Sequence, residues 1–183
     1  MAEVRVGIVG SAGTGKTSLA SRLSSDLGVA FLEAKEITLD VLRRDGYDYG
    51  SGVQIERFLA QEGRQEEIFY RTLDAERSAG SFVTDRTLVD LAAYFVAELH
   101  DVEPMKVEKY VSECREAAKY THLILCPWGR TPLLDNRRRT LNPWYQMIIH
   151  GLELTILHTW GMSYMNFEGG YDQLLQAIRA YLS

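Results

Sequence analysis

The chain has 183 residues, 46% hydrophobic and 25% charged, which fits one compact domain with a buried core and excludes a disordered tail or a multi-domain machine. Twenty Lys plus Arg against 25 Asp plus Glu leave a net charge of -5, which excludes holding a nucleic-acid backbone by whole-protein charge, though not by a local basic groove. No run approaches the ~18 apolar residues of a membrane span, residues 1–5 lack the pattern of a signal peptide, and two cysteines outside any C-x-x-C pair exclude a disulfide framework; the expectation is a cytoplasmic chain with Cys114 and Cys126 reduced.

Residues 4–9 form a short apolar run ended by Gly10 and predict a first strand, and Leu19, Leu23 and Leu27 then recur at helical spacing across residues 18–27. The pattern repeats, with strands expected at 29–32, 82–84, 122–126 and 162–167 and helix-like segments between them. Residues 46–52 read as a loop, either on the substrate side or a plain surface turn. In residues 54–77, Ile55, Phe58, Leu59, Ile68, Phe69 and Leu73 recur at helical spacing; these helices would bound an acceptor pocket and offer it Gln54, Arg57 or Gln65. Residues 144–157 and 171–182 read as scaffold helices. Alternating strands and helices predict a three-layer α/β fold, about five parallel strands joined by right-handed crossovers, as a single domain over 1–183. Charge is polarised along the chain: residues 36–103 carry 7 basic and 15 acidic side chains, residues 106–150 carry 8 and 4.

Gly10-Ser11-Ala12-Gly13-Thr14-Gly15-Lys16-Thr17 satisfies G-x-x-x-x-G-K-[ST] between the first strand and the first helix, the context that motif requires. Glycines let several N–H groups aim into one concavity, the helix N-terminus adds partial positive charge, Lys16 reaches the outer phosphates and Thr17 can ligate Mg2+. Chance supplies such an octapeptide in roughly one chain of this size in a hundred, and the flanking elements lower that further. Nucleotide binding is the expectation.

A remodelling ATPase needs an acidic pair closing a later strand; here the candidate strand runs into Asp85-Arg86. Asp85 can serve the metal, whereas a cation at 86 suits gripping a phosphate or an acceptor oxygen rather than activating water. No N-K-x-D guanine reader and no L-S-G-G-Q stretch is present. Glu33 closes the second strand, and in a doubly wound sheet the carboxyl ends of the strands line the ligand crevice, so Gly10, Glu33 and Asp85 should meet on one rim. Glu33 is the candidate general base; a helix-start carboxylate is the plain alternative. The densest basic cluster, Arg137-Arg138-Arg139, cannot turn all its members to one ligand on a helix. Arg137 and Arg139, with Arg130 upstream on the nucleotide, are the candidates to stabilise charge on a moving phosphoryl group, unless the cluster is simply a solvated face. The four histidines show no ligand spacing, so a zinc site is not expected.

Together, residues 10–17, Glu33-Ala34-Lys35, Asp85-Arg86-Thr87 with Asp90-Leu91-Ala92-Ala93-Tyr94, and Asp135-Asn136-Arg137 resemble the phosphate-loop nucleoside and nucleotide kinases. The nearest likeness is to small kinase-like ATPases related to the ribosylnicotinamide kinase domain of bacterial NAD regulators. The resemblance implies a five-stranded parallel sheet, Mg-ATP as donor, a mobile arginine-bearing lid at about residues 128–143, and a hydroxyl or phosphate as acceptor. By position it implies Glu33 as base or acceptor ligand, Asp85 organising Mg2+, Arg86 on the acceptor side and Arg137 acting from the lid. The pattern often has arginine where Lys35 stands and glycine where Asn136 stands, which bears on the acceptor rather than the reaction.

The chain is also similar in size and layout to the phage 5-hydroxymethyluracil DNA kinases, which implies DNA as a possible acceptor beside free nucleosides and nucleotides. In that event the basic stretch 106–139 would track phosphates, and Trp128, Trp144, Tyr145 or Tyr47 would stack an extruded base, although such rings are more often core. The rival reading is a nucleotide-dependent regulatory or DNA-binding ATPase that hydrolyses ATP without a phosphorylated acceptor.

Overall fold

The computed structural model describes residues 3–46, 63–98, 103–130 and 142–182. The chain alternates strand and helix: β1 (Arg5–Val9), α1 (Lys16–Leu27), β2 (Ala30–Leu32), α2 (Ala34–Arg44), α3 (Arg64–Ala79), β3 (Phe82–Thr84), α4 (Leu88–Glu98), α5 (Pro104–Ala117), β4 (His122–Leu125), α6 (Pro143–Thr159), β5 (Met165–Asn166) and α7 (Tyr171–Leu182). All pairings are parallel, in the order β2-β3-β1-β4-β5. The expected three-layer α/β architecture with five parallel strands is therefore the observed one.

The period of two in each strand splits the core into two layers. Val6 and Ile8 of β1 join Ile124 and Val83 against Leu19, Ala20 and Leu23 of α1 and Leu174, Leu175 and Ile178 of α7. Val9, Leu123 and Leu125 face the opposite layer, built by α2, α3, α4, α5 and α6. Central strands apolar on both faces are what a parallel sheet covered on both sides requires. Gly7 stands between them where a side chain would not fit: a Cβ there would meet Thr87 Cγ2 at 2.6 Å.

Local signals set the helix ends. Gly28, left-handed at φ 67, closes α1 and returns its N–H to Ser24 and Ser25. Pro104 and Pro143 open α5 and α6, the latter with the Asn142 side chain accepting from Trp144 N at 3.0 Å. Several boundaries differ from expectation. Helix α1 begins at Lys16, two residues early, because Gly15 caps it without a side chain. Strand β5 contracts to two residues, since as an edge strand it pairs only with β4. Helix α3 starts after Gly63, and the first part of the apolar pattern expected over 54–77 lies outside the described residues. Cys114 and Cys126 are free and buried. No helix among the described residues is long and apolar enough to cross a membrane.

Candidate active site

Strand β1 runs up the middle of the sheet and delivers the phosphate loop at its carboxyl end, between β3 and β4. Gly10 permits a close approach there: a Cβ on it would lie 2.7 Å from the Cys126 carbonyl oxygen. Gly15, at φ 87, turns the chain into α1 and leaves the first amides of that helix open toward the loop. With its positive end at the loop, α1 favours an anion in the concavity.

The loop is latched from below. Thr87 and Asp90 form a capping box at the start of α4: Asp90 Oδ2 accepts from Thr87 N at 2.7 Å and Thr87 Oγ1 at 2.6 Å, while Thr87 Oγ1 accepts from Asp90 N at 3.3 Å. The remaining Asp90 oxygen, Oδ1, accepts from Gly10 N at 3.1 Å. Gln146, in the first turns of α6, accepts from Ala12 N at 2.9 Å, and Thr14 Oγ1 donates to Ser11 O at 2.9 Å. The Lys16 ammonium folds back on the loop's own carbonyls, donating to Gly10 O and, at 3.0 Å, to Ser11 O. The Ser11 hydroxyl is buried without a hydrogen-bond partner. An ammonium, a spare hydroxyl and a ring of amides form a donor set matched to phosphate oxygens.

Thr17 Oγ1, on the first turn of α1, donates to Asp85 Oδ2 at 2.6 Å, and Asp85 Oδ1 accepts from Ala34 N at 3.1 Å. Thr84 Oγ1 donates to Leu32 O at 3.1 Å, closing the ends of β2 and β3 on one another. Gly10, Asp85 and the start of α2 thus meet on one rim. Thr17 and Asp85 present hard oxygens beside the loop, which fits Mg2+, a cation that takes few protein ligands and keeps phosphate oxygens and waters. Among the described residues no group of three or more His, Cys, Asp or Glu could hold a metal unaided.

Glu33 is the N-cap residue of α2, yet its side chain caps no amide. It stays about one third exposed, 3.7 Å from Lys35 Nζ. Arg86 lies over the Tyr94 ring, 5.0 Å from its centroid, turned inward against α4. Arg130, half exposed, pairs with Glu168 of the β5–α7 turn at 3.7 Å. Arg137 and Arg139 lie outside the described residues, as do Asn136, Tyr47, Gln54, Arg57 and most of segment 128–143. Gln65 is buried in α3, where its carbonyl accepts from Tyr110 OH. Trp144 is exposed, whereas the Tyr145 hydroxyl donates to Glu98.

Three residues at the loop had no expected role: Asp90, Gln146 and Glu153. Thr87-x-x-Asp90 is a capping signature, and Gln146 and Glu153 interrupt the apolar face of α6 at positions that also hold Ile149 and Ile156. A polar side chain in a buried register is the signal that could have found them.

No curated protein matches the chain in sequence. In structure it is similar to the NadR protein in complex with NR, with a TM-score of 0.68 at 16% identity, over 98% of this chain and 50% of that one. It is similar also to deoxyadenosine kinase from M. mycoides (0.61, 14%, 97% of each chain) and to shikimate kinase from Aquifex aeolicus (0.58, 14%, 98% and 96%). The chain spans half the length of the NadR chain, and at these identities the likeness is one of fold, that of the phosphate-loop kinases. A family model described as AAA domain matches residues 5–173, from the first residue of β1 into α7, so the cradle, its latch and the Thr17–Asp85 pair all fall inside it; the chain belongs to the AAA domain family.

Proposed function

We propose that the chain is a kinase that transfers the γ-phosphate of ATP to a hydroxyl of a nucleoside- or nucleotide-type acceptor. The observation that carries this reading is the rim itself: a phosphate-matched loop, the Thr17–Asp85 oxygen pair and the Glu33 carboxylate stand together at the carboxyl ends of β1, β3 and β2. Lys16 exchanges its carbonyl partners for the outer phosphates of ATP, and the loop amides follow. Thr17 and Asp85 would hold Mg2+, and the bound ion would supply neutralising charge for the phosphates. Glu33 takes the proton of the acceptor hydroxyl as its oxygen bonds to the γ-phosphorus and the bridging oxygen leaves with ADP. Arg86 serves the acceptor side and Arg130 the nucleotide. Arg137 and Arg139 bring positive charge from the 128–143 segment, acting as a lid within one domain spanning 1–183.

Support for a nucleoside-type acceptor comes from two proteins of this fold, crystallised with NR and with dCMP and dCDP. The hydroxymethyl group of 5-hydroxymethyluracil in phage DNA is the modified-base form of the same acceptor, served by the basic residues 106–139. The rival hydrolase lacks a water-priming carboxylate after Asp85, since Arg86 occupies that place and lies over Tyr94.

ATP labelled in its γ-phosphate, offered with nucleosides, nucleotides and hydroxymethylated DNA, tests the reading. Label in an acceptor is the expected result, with Lys16→Ala reducing it at least about a hundredfold. Label appearing only in inorganic phosphate would establish the hydrolase instead.

A further inference from the structure

Helix α6 packs on α4, and in the middle of that contact Glu153 is wholly buried. No hydrogen-bond donor meets either of its carboxyl oxygens. His150 Nδ1 stands 3.5 Å from Oε2, but burial, with Lys16 adding to it, holds that imidazole below its ordinary range and therefore neutral at pH 7. The group within hydrogen-bonding reach is another carboxyl, that of Asp90. Asp90 is engaged throughout as an acceptor, from Gly10 N on Oδ1 and from Thr87 N and Oγ1 on Oδ2, which leaves one acceptor site on Oδ1. Two carboxyls that meet in a dry interior hold together only by sharing a proton. With the Asp90 oxygens already receiving three donors, that proton resides on Glu153.

We propose that Glu153 is a positioning residue of the phosphate loop, which as a neutral acid donates its proton to Asp90 and so fixes the carboxylate that grips the Gly10 amide. The inference rests on reading residues 10–17 as a triphosphate cradle. Among the described residues the titratable or charged groups facing this pair are Tyr94 from α4, Lys16 from α1, Arg86 from the β3–α4 turn, Tyr120 from the α5–β4 turn, Cys126 at the end of β4 and His150 from α6 itself. Burial first, then the Asp90 charge, hold the Glu153 carboxyl well above the usual carboxylate range, while Lys16 and Arg86 pull the other way. With its proton the pair carries one negative charge. Without it the pair carries two, on the underside of a loop that must accept a polyanion.

Infrared spectroscopy without nucleotide tests the proton. In a Glu76→Gln background, which removes the other wholly buried glutamate among the described residues, protein with isotopically labelled glutamate should show the carbonyl stretch of a neutral glutamic acid at neutral pH, and Glu153→Gln should abolish it. Calorimetry with Mg-ATP tests the positioning. As pH rises through the point where the band disappears, affinity should fall about tenfold in the Glu153-containing protein, the size expected of one added charge nearby. Glu153→Gln keeps the donor to Asp90, so it should bind within about threefold of wild type at neutral pH and show no fall at that midpoint. A merely structural glutamate would not tie the two midpoints together, and that comparison within the wild-type glutamate stands even where the Gln variant does not fold. No acid band at neutral pH, or an ATP affinity indifferent to loss of the band, overturns the proposal while leaving the cradle in place. A band with no ATP binding at any pH overturns the cradle and the positioning role with it.

Discussion

Asp85 accepts from the Thr17 hydroxyl at 2.6 Å on one oxygen and from the Ala34 amide at 3.1 Å on the other, which fixes it between α1 and the junction of β2 and α2. Glu33, one residue before that amide, is about one third exposed and stands 3.7 Å from the Lys35 ammonium. On the proposed reading the first of these carboxylates holds the metal and the second takes the proton. Glu33→Gln should lower turnover about 10²- to 10⁴-fold, the span of general-base contributions, with ATP affinity changed only a few-fold. Steady-state rates beside calorimetry check this, and a parallel loss of ATP binding would assign Glu33 to the β2–α2 junction instead. The loop and both of these carboxylates are legible in the sequence because each follows a short apolar strand, where a sheet of this kind gathers its ligand groups. Asp90, Gln146 and Glu153 are not, because their partners lie 80, 134 and 63 positions away in the chain. Nothing local distinguishes Gln146 from an ordinary residue of an amphipathic helix until Ala12 is placed against it.

Helix α3 is joined to the underside of the site by one buried polar chain. Glu76 accepts from the Tyr120 hydroxyl at 2.7 Å, and that hydroxyl accepts from Leu88 N at 3.0 Å, at the start of the helix that bears Asp90. Burial, against the opposing Tyr120 donor and the Arg5 charge, pushes the Glu76 carboxyl up to about 7. Between about pH 4.5 and 7 the folded protein keeps a proton that the unfolded chain has released. Stability from this group is thus fully present below that window and is lost as pH rises through it. Glu76→Gln should lessen the slope of stability against pH there and leave the variant more stable than wild type at alkaline pH, by on the order of 1–3 kcal/mol. Urea midpoints at a series of pH values measure it, and an unchanged slope would show that the carboxyl ionises normally. The helices were the more legible elements, since α6 and α7 carry apolar residues over several turns. The edge strand β5 was overestimated because residues 162–167 are apolar enough for a strand, whereas partner availability on one side only decides how many of them pair.

Across the molecule a net charge of -5 coexists with a site built to hold a polyanion. The two are compatible because the attraction comes from loop amides, one ammonium and a helix end acting at short range, not from the long-range field. Mg-ATP at about a hundred times its dissociation constant should stabilise the fold by about 2.7 kcal/mol, a rise in Tm of about 5 to 10 °C for a chain of this size. Thermal scans with and without nucleotide measure the rise, and Lys16→Ala should remove most of it.

The placement of β1 has a bearing on how the chain acquires its shape. Val6 lies beside Val83 on one side and His122 on the other, so the first strand of the sheet to be synthesised has no neighbour until nearly eighty residues have followed, and a second only some forty residues later. Such distant pairings make closure of the sheet slow and leave an apolar segment waiting. The polyphosphate grip, although encoded ahead of the rest of the sheet, is among the last features to assume its working form, and a nascent chain halted before β4 would have no bed for ATP to enter.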